Sequence, residues 1–214
     1  MYYCITCPGT INGNGTWSER AFIGLMETSD PASNKWEDKG FVITNASDKG
    51  VNFRVSQTDY NNCYFKFNAI DPTYIITPEG KHWLIYGSWH SGFAAVELDA
   101  STGKTKVELP KPFGTAEEIA PYGKLIFTRT LNNRWQGAEA PEIAYHDGYY
   151  YLFVAYDALD VPYNTRVLRS KNVDGPYETM NGTVKDAANG ANENPTVLTH
   201  PYKFSAGSGW VGIS

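Results

Sequence analysis

The first copy of a repeated pattern reads Ile70-Asp71-Pro72-Thr73-Tyr74-Ile75-Ile76, followed by Gly80-Lys81-His82-Trp83-Leu84-Ile85-Tyr86, and the second reads Glu139-Ala140-Pro141-Glu142-Ile143-Ala144, followed by Gly148-Tyr149-Tyr150-Tyr151-Leu152-Phe153-Val154. In each copy an acidic residue just before a proline leads into a short apolar strand, a turn with glycine and an aromatic strand. Gly80 and Gly148 are 68 residues apart (148 − 80), and so are Trp83 and Tyr151 (151 − 83). Two equal spacings indicate a structural repeat, and the rest of the chain is interpreted outward from it.

The remaining segments also favour β-structure. None carries an apolar stripe of 3.6-residue period over about ten or more residues. Further strands are predicted at 1–6, 21–26, 36–44, 64–67, 93–98, 107–109, 125–130 and 165–170. Each unit then comprises a strand, an aromatic strand, a third strand and an outer strand, which is typical of a propeller blade in an all-β fold. A β-sandwich or a β-helix is the alternative, but neither fits a repeat of this length.

Chain length limits the number of such units. At about 68 residues a blade, 214 residues provide about three blades, whereas propellers close with roughly 4–8. The sequence also begins directly on a strand, Met1–Thr6, and finishes on the strand-like Gly209–Ser214. We therefore expect a single partial domain over residues 1–214, incomplete at both ends and completed by a second polypeptide or segment.

Composition excludes several function classes. The formal net charge of −5 offers no electrostatic basis for binding nucleic acid or an anionic membrane. No apolar run approaches the ~20 residues that span a bilayer, and no secretory leader pattern is present. Cys4 and Cys7 stand without a second cysteine pair or a histidine cluster, so we predict packing rather than metal or redox chemistry. Aromatic residues make up 14% of the chain, which suits β-strands and clefts that stack on sugars.

Two acidic residues occupy equivalent places in the repeat. Asp71 and Glu139 each begin the innermost strand of a predicted blade, so both carboxylates are expected to face one central funnel. Paired carboxylates across a cleft are the groups that hydrolyse glycosidic bonds. The alternative is structural, because an Asp before Pro often caps a turn and Glu-Ala-Pro can simply open a strand. Glu142 is the rival to Glu139, but three residues along a strand it faces the opposite side.

Several segments together resemble one family. They are Asn68-Ala69-Ile70-Asp71-Pro72, Tyr86-Gly87-Ser88-Trp89-His90-Ser91-Gly92, Glu139-Ala140-Pro141 with Gly148–Phe153, and Gly209-Trp210-Val211-Gly212-Ile213-Ser214, with strands 21–25 and 166–171 also matching. They are similar to glycoside hydrolase family 43, and most of all to its endo-1,5-α-L-arabinanases. The segments occur in the right order over most of the chain, which makes the resemblance specific.

This resemblance implies an inverting hydrolase on a five-bladed β-propeller, of which this chain would supply about three blades. Glu139 is then the general acid and Asp71 its pKa modulator. The base, an Asp in an Asp-Pro motif, is expected upstream of Met1, and Asp38 and Asp59 do not replace it because they lie in polar, surface-like segments. The chemistry needs no cofactor, and a structural calcium at the propeller axis would take its histidine ligand from outside this chain. The resemblance also implies an extracellular or periplasmic protein.

Four residues near the acids are predicted to bind substrate: Ile70, Ser88, Trp89 and His90. Trp89 is the candidate for stacking on an arabinose ring, with packing between blades as the alternative. Ser88 is suited to hydrogen-bonding a sugar hydroxyl. His90 is expected to line the substrate rather than bind a metal, and no metal ligand is assigned within the chain.

The predicted function is hydrolysis of internal α-1,5-L-arabinofuranosidic bonds in arabinan by single displacement. One alternative keeps the site but makes the protein an exo-acting arabinofuranosidase or a xylosidase, because the loops that close the cleft set the sugar and the mode. Another alternative is a non-catalytic carbohydrate-binding propeller fragment, which the absence of a base favours if residues 1–214 are the whole protein.

Overall fold

The computed structural model describes residues 1–7, 20–44, 67–106, 123–131, 136–158 and 163–199. These residues form three antiparallel sheets in which the strands follow chain order. Sheet I contains β1 (Tyr2–Cys7), β2 (Arg20–Glu27) and β3 (Glu37–Thr44). Sheet II contains β4 (Thr73–Ile76), β5 (His82–Tyr86), β6 (Phe93–Leu98) and β7 (Lys124–Phe127). Sheet III contains β8 (Ala138–His146), β9 (Tyr149–Tyr156), β10 (Asn164–Ser170) and β11 (Thr196–Thr199). Within these ranges, two single 3₁₀ turns, Pro31–Ser33 and Ala187–Asn189, lie between strands.

Sheet II is covered on both faces. Because side chains alternate along a strand, Leu84 and Tyr86 of β5 pack against sheet I, whereas Ile85 packs against sheet III. The same alternation divides β6, where Ala94, Val96 and Leu98 join the first cluster and Phe93 and Ala95 join the second. The continuous apolar run of these strands thus reflects burial on two sides rather than one.

Aromatic rings fill the space between sheets II and III. Phe93 and Phe127 stack with ring centroids 4.8 Å apart, and Phe127 meets Tyr156 edge-on at 6.2 Å. All three side chains are fully buried. Removing one buried phenylalanine ring of this kind typically costs about 3–5 kcal/mol of folding free energy, so this contact is a main source of cohesion between the two sheets.

The repeat predicted from sequence corresponds to sheets II and III. Each is a four-stranded meander, and each places a glycine of φ +77°, Gly80 or Gly148, in the turn between its first two strands. A positive φ is easily reached only by glycine, which explains why this residue recurs in the pattern. Asp71 and Glu139 are also separated by 68 residues (139 − 71), so they occupy equivalent positions in the two sheets.

Several strand predictions are confirmed, and one interpretation changes. The strand predicted at 125–130 is observed as Lys124–Phe127, the fourth strand of sheet II. The predicted outer strand at 107–109 and residues 64–66 lie outside the described ranges. Cys4 is exposed on β1 and therefore does not pack in a core as predicted. The helical turns within the described ranges are too short to cross a membrane.

Two glycines offer a matched test of the close backbone approach between β6 and β7. An ideal Cβ on Gly92 (φ +107°) would lie 1.9 Å from the carbonyl oxygen of Phe127, whereas one on Gly80 (φ +77°) would meet no atom within 4 Å. We expect Gly92→Ala to lower the free energy of unfolding by more than about 3 kcal/mol. Gly80→Ala should cost only the backbone strain of about 1–2 kcal/mol. Urea denaturation of both variants measures the difference, and equal losses would contradict the predicted clash.

Candidate active site

The site lies where the first strands of sheets II and III begin. Asp71 comes two residues before β4, and Glu139 is the second residue of β8. The two strands are neighbours, since the Ile143 amide donates to Thr73 Oγ1 at 3.4 Å. At their start, the Ala140 amide donates to Asp71 Oδ2 at 3.0 Å. The residue after Glu139 is therefore bonded to the Asp71 carboxyl, and the two acids lie side by side.

The Glu139 carboxyl is held by donors from two sheets. Its Oε2 accepts from Ser88 Oγ at 3.3 Å and from Trp89 Nε1 at 3.1 Å. Its Oε1 accepts from the Tyr163 hydroxyl at 2.9 Å. Ser88 and Trp89 follow β5 in sheet II, whereas Tyr163 immediately precedes β10 in sheet III. Because both oxygens are engaged, the plane of the carboxyl is fixed relative to both sheets.

The loop that carries Ser88 and Trp89 is anchored through its backbone. The Trp89 amide donates to the carbonyl of Ala138 at 2.9 Å, and its carbonyl accepts from the Gln136 amide at 2.8 Å. At the start of the loop, the Gly87 amide donates to the carbonyl of Ile70 at 3.1 Å. The loop is thus bonded both to the segment that carries Asp71 and to the strand that carries Glu139.

Backbone strain concentrates around this site. Within the described ranges, eight non-glycine residues have positive φ, and four of them belong to the segments just described: Asp71 (54°), Trp89 (58°), Ser91 (60°) and Ala140 (51°). A fifth, Asp157 (72°), directly follows β9, and its amide donates to the carbonyl of Gly137 beside β8. Each such conformation costs about 1–3 kcal/mol and persists only where the surroundings enforce it. A cluster of strained residues around two carboxyls indicates a functional site.

Electrostatics distinguish the two acids. Burial raises the pKa of Asp71, and the negative charge of Glu139 raises it further, while hydrogen bonds from the Ala140 amide and Ser88 act in the opposite direction. Ser88 therefore influences both carboxyls: its hydroxyl donates to Glu139, and it also lowers the pKa of Asp71. Its single proton can serve only one acceptor at a time.

A β-bulge lies between Glu139 and its rival Glu142, and burial distinguishes the two acids. In the pairing of β8 with β9, Glu139 lies opposite Ala155 and Glu142 opposite Phe153, so one extra residue is accommodated between them. The bulge contains Ala140, whose left-handed φ of 51° turns its amide to Asp71. Glu142 is exposed, whereas Glu139 is half-buried in the cluster. Bulges of this kind commonly redirect side chains beside active sites.

The predicted substrate-binding residues fall into different environments. Ser88 is buried and bonded to the acids, and Trp89 is half-buried with its indole nitrogen on Glu139. His90 is fully buried within the fold, and Ile70 packs partly against the core between sheets I and II. The structure therefore brings Ser88 and Trp89 to the acids, while the roles of all four residues toward a sugar remain predictions.

A second polar network lies near the acids between sheets II and III, and no sequence motif pointed to it. Arg129 Nη1 donates to Asp157 Oδ1 at 2.7 Å, and Glu193 accepts from both Arg129 and Arg166. Both guanidinium groups lie over the Tyr156 ring, at 4.4 Å for Arg129 and 4.3 Å for Arg166. These residues are far apart in the chain, so only the fold reveals that they meet.

The predicted calcium finds no ligand set in the described ranges, where no three His, Cys, Asp or Glu side chains converge in a geometry that could hold a metal ion. The resemblance placed its ligand outside this chain, so the calcium remains a prediction.

Comparison with known proteins identifies the family. The pattern of the glycosyl hydrolases family 43 matches residues 1–197. The extracellular endo-alpha-(1->5)-L-arabinanase 1 of Bacillus subtilis is 30% identical over 186 residues, covering 85% of this chain and 45% of that protein. A GH43 endo-arabinanase structure from Bacillus licheniformis superposes with a TM-score of 0.63 at 30% identity, covering 92% of this chain and 54% of the other.

An exo-acting protein is equally similar. The structure of an exo-1,5-alpha-L-arabinanase from a bovine ruminal metagenomic library also has a TM-score of 0.63 at 30% identity, covering 95% of this chain and 61% of the other. The chain spans about half the length of these relatives. Both the sequence match and the shared fold extend over most of the described residues, and the chain therefore belongs to glycosyl hydrolase family 43.

Proposed function

We propose that this protein hydrolyses α-1,5-linked arabinan, with Glu139 as general acid and Asp71 as the carboxyl that positions and tunes it. The observation that carries this proposal is the pair of carboxyls at the start of β4 and β8, joined through the Ala140 amide and Ser88. Membership of a glycoside hydrolase family supplies the reaction class. Relatives of both the endo and exo type act on the same linkage by their names.

The proposed chemistry is a single displacement with inversion. Glu139 donates its proton to the glycosidic oxygen as the bond from that oxygen to the anomeric carbon breaks. A water molecule attacks the anomeric carbon from the opposite face and loses its proton to a carboxylate base. We propose that this base lies outside residues 1–214, as the family resemblance implies. The products are a sugar with inverted anomeric configuration and a free hydroxyl on the leaving chain.

Asp71 supports this step in two ways. Its hydrogen bond from the Ala140 amide fixes the backbone next to Glu139 and so helps to fix the position of the Glu139 side chain. Its charge opposes loss of the proton from the pair, because two neighbouring carboxylates repel each other. Burial raises the pKa of Asp71 itself, which strengthens the tendency of the pair to hold a proton.

Internal cleavage is the leading mode, and exo-cleavage is the alternative that the exo-acting relative favours. The same acids serve both modes, since an open groove admits internal bonds and a blocked one admits only chain ends. We further propose an extracellular location, supported by the name of the Bacillus subtilis relative, and closure into a five-bladed propeller by polypeptide additional to the three sheets.

Replacement of the acid tests the assignment directly. We expect Glu139→Gln in the full-length protein to lower kcat on debranched arabinan by about 10²–10⁴-fold, because an amide cannot protonate the leaving oxygen. Glu142→Gln is the matched control, since Glu142 lies on the same strand but is exposed, and it should keep wild-type activity. Reducing-sugar release measures both. Retained activity in Glu139→Gln would reject Glu139 as the acid, and an inactive wild type would support the non-catalytic binding alternative.

Early products distinguish the two modes. An endo-acting enzyme should release oligosaccharides of several lengths from linear arabinan before monomer accumulates, because it cuts at random internal bonds. Chromatography of a time course at less than about a tenth of total conversion measures this. Arabinose or a single short oligosaccharide as the sole early product would instead establish the exo mode.

The coupling of the two carboxyls is measurable without substrate. Side-chain ¹³C NMR of labelled aspartate should show the pKa of Asp71 above its ordinary value of 3.8, because the group is buried beside Glu139. In Glu139→Gln the pKa should fall, since the like charge that raises it is lost. The carboxyl signal of Asp71 is assigned as the one that disappears in Asp71→Asn. A value unchanged by Glu139→Gln would show that the carboxyls do not interact.

A further inference from the structure

Tyr163 contacts the site, although no sequence motif and no relative's name points to it. Its hydroxyl donates to Glu139 Oε1 at 2.9 Å, while the two donors from sheet II bond Oε2. Tyr163 is therefore the contact from sheet III, and it closes the open side of the carboxyl. With its hydroxyl occupied by Glu139, it is not placed to serve chiefly as a sugar contact.

The position of Tyr163 is set by the residues that flank it. The next residue, Asn164, is buried, and its Nδ2 donates to Asp157 Oδ2 at 3.2 Å. The Asp157 amide in turn donates to the carbonyl of Gly137 at 2.8 Å, next to the first residue of β8. The start of β10 is thus tied to the start of the strand that carries Glu139. Tyr163 and Glu139 share one rigid framework, so the 2.9 Å contact does not depend on a free-standing loop.

Arg129 reinforces that framework. It donates to Asp157 Oδ1 at 2.7 Å and to the carbonyl of Gly137 at 2.8 Å. Arg166 donates through Nε to Asn164 Oδ1 at 2.9 Å. Charge-assisted hydrogen bonds of this kind are among the stronger polar contacts in proteins. The Asp157 and Asn164 side chains bond each other, and each also accepts a hydrogen bond from an arginine, so the orientation of both is fixed by two contacts.

The chemistry of a phenol suits the partner of a proton-transferring carboxyl. Burial raises the pKa of Tyr163, and its bond to Glu139 and the charges of Glu139 and Asp71 raise it further. The phenol therefore keeps its proton and donates to Glu139 when that carboxyl is charged. When Glu139 carries a proton, the phenol oxygen can accept a hydrogen bond instead. Tyrosine can thus remain bonded to Glu139 in both protonation states, which phenylalanine cannot do.

We propose that Tyr163 is a positioning residue that holds the Glu139 carboxyl in one orientation throughout the proton transfer. This inference rests on the proposed function of Glu139 as general acid. Without Tyr163, Oε1 loses its donor and the carboxyl is free to rotate away from the glycosidic oxygen. Small losses of alignment between reacting groups reduce rate strongly, while substrate affinity is little affected.

The kinetic test is Tyr163→Phe in the full-length protein, with Tyr145→Phe as control because Tyr145 is an exposed tyrosine on the same sheet. We expect Tyr163→Phe to lower kcat on linear arabinan about 10- to 100-fold with KM changed by less than about 2-fold. Tyr145→Phe should match the wild type. A rise in KM at constant kcat would make Tyr163 a substrate contact, and unchanged kinetics would remove any role; either result overturns the proposal.

A spectroscopic test does not depend on activity. With 3-fluorotyrosine incorporated at position 163 alone, the ¹⁹F resonance should shift in Glu139→Gln, which removes the charged acceptor, and stay in place in Glu142→Gln. An unmoved resonance in Glu139→Gln overturns the contact itself. If the resonance moves but Glu139→Gln retains arabinan hydrolysis, the contact stands and the assignment of Glu139 as acid fails, so the two failures are distinguishable.

Discussion

Burial of sheet II on both faces is the constraint on which the rest of the structure depends. Its central strands present apolar side chains to sheet I on one side and to sheet III on the other, so neither neighbour can move away without exposing a core. Stacked in this way, sheets II and III present the beginnings of β4 and β8 at a common edge. The position of Asp71 and Glu139 follows from that alignment rather than from any direct attraction between two acids, which would repel each other.

Holding two carboxyls together requires compensation, and the backbone supplies much of it. The Ala140 amide satisfies Asp71, and Trp89 is bonded through both its amide and its carbonyl to the segment that begins β8. Several residues in these segments adopt the left-handed backbone conformation, which costs conformational free energy but directs amides toward the site. Close packing around Gly92, whose surroundings leave no room for a Cβ, keeps this strained loop in place.

The site fixes one carboxyl and perturbs the other. Ser88, Trp89 and Tyr163 donate to Glu139 and hold its carboxyl in one orientation. Preorganised donors achieve this without movement of the surrounding protein. Burial and the neighbouring charge of Glu139 raise the pKa of Asp71.

The amino-acid sequence by itself determined the β-class, the repeat and the two candidate acids, because these depend on local features: side-chain alternation, glycine turns and the spacing of Asp71 and Glu139. It also pointed to Ser88 and Trp89, which stand in one short motif. Only the tertiary structure showed that the Ser88 and Trp89 side chains are hydrogen-bonded to Glu139. It also showed that His90 is buried and that Lys124–Phe127 is the fourth strand of sheet II. Tyr163, Arg129 and Asp157 belong to the same category, since their contacts join segments distant in the chain. Such contacts arise from how sheets stack, and no local pattern encodes which side chains will meet across them.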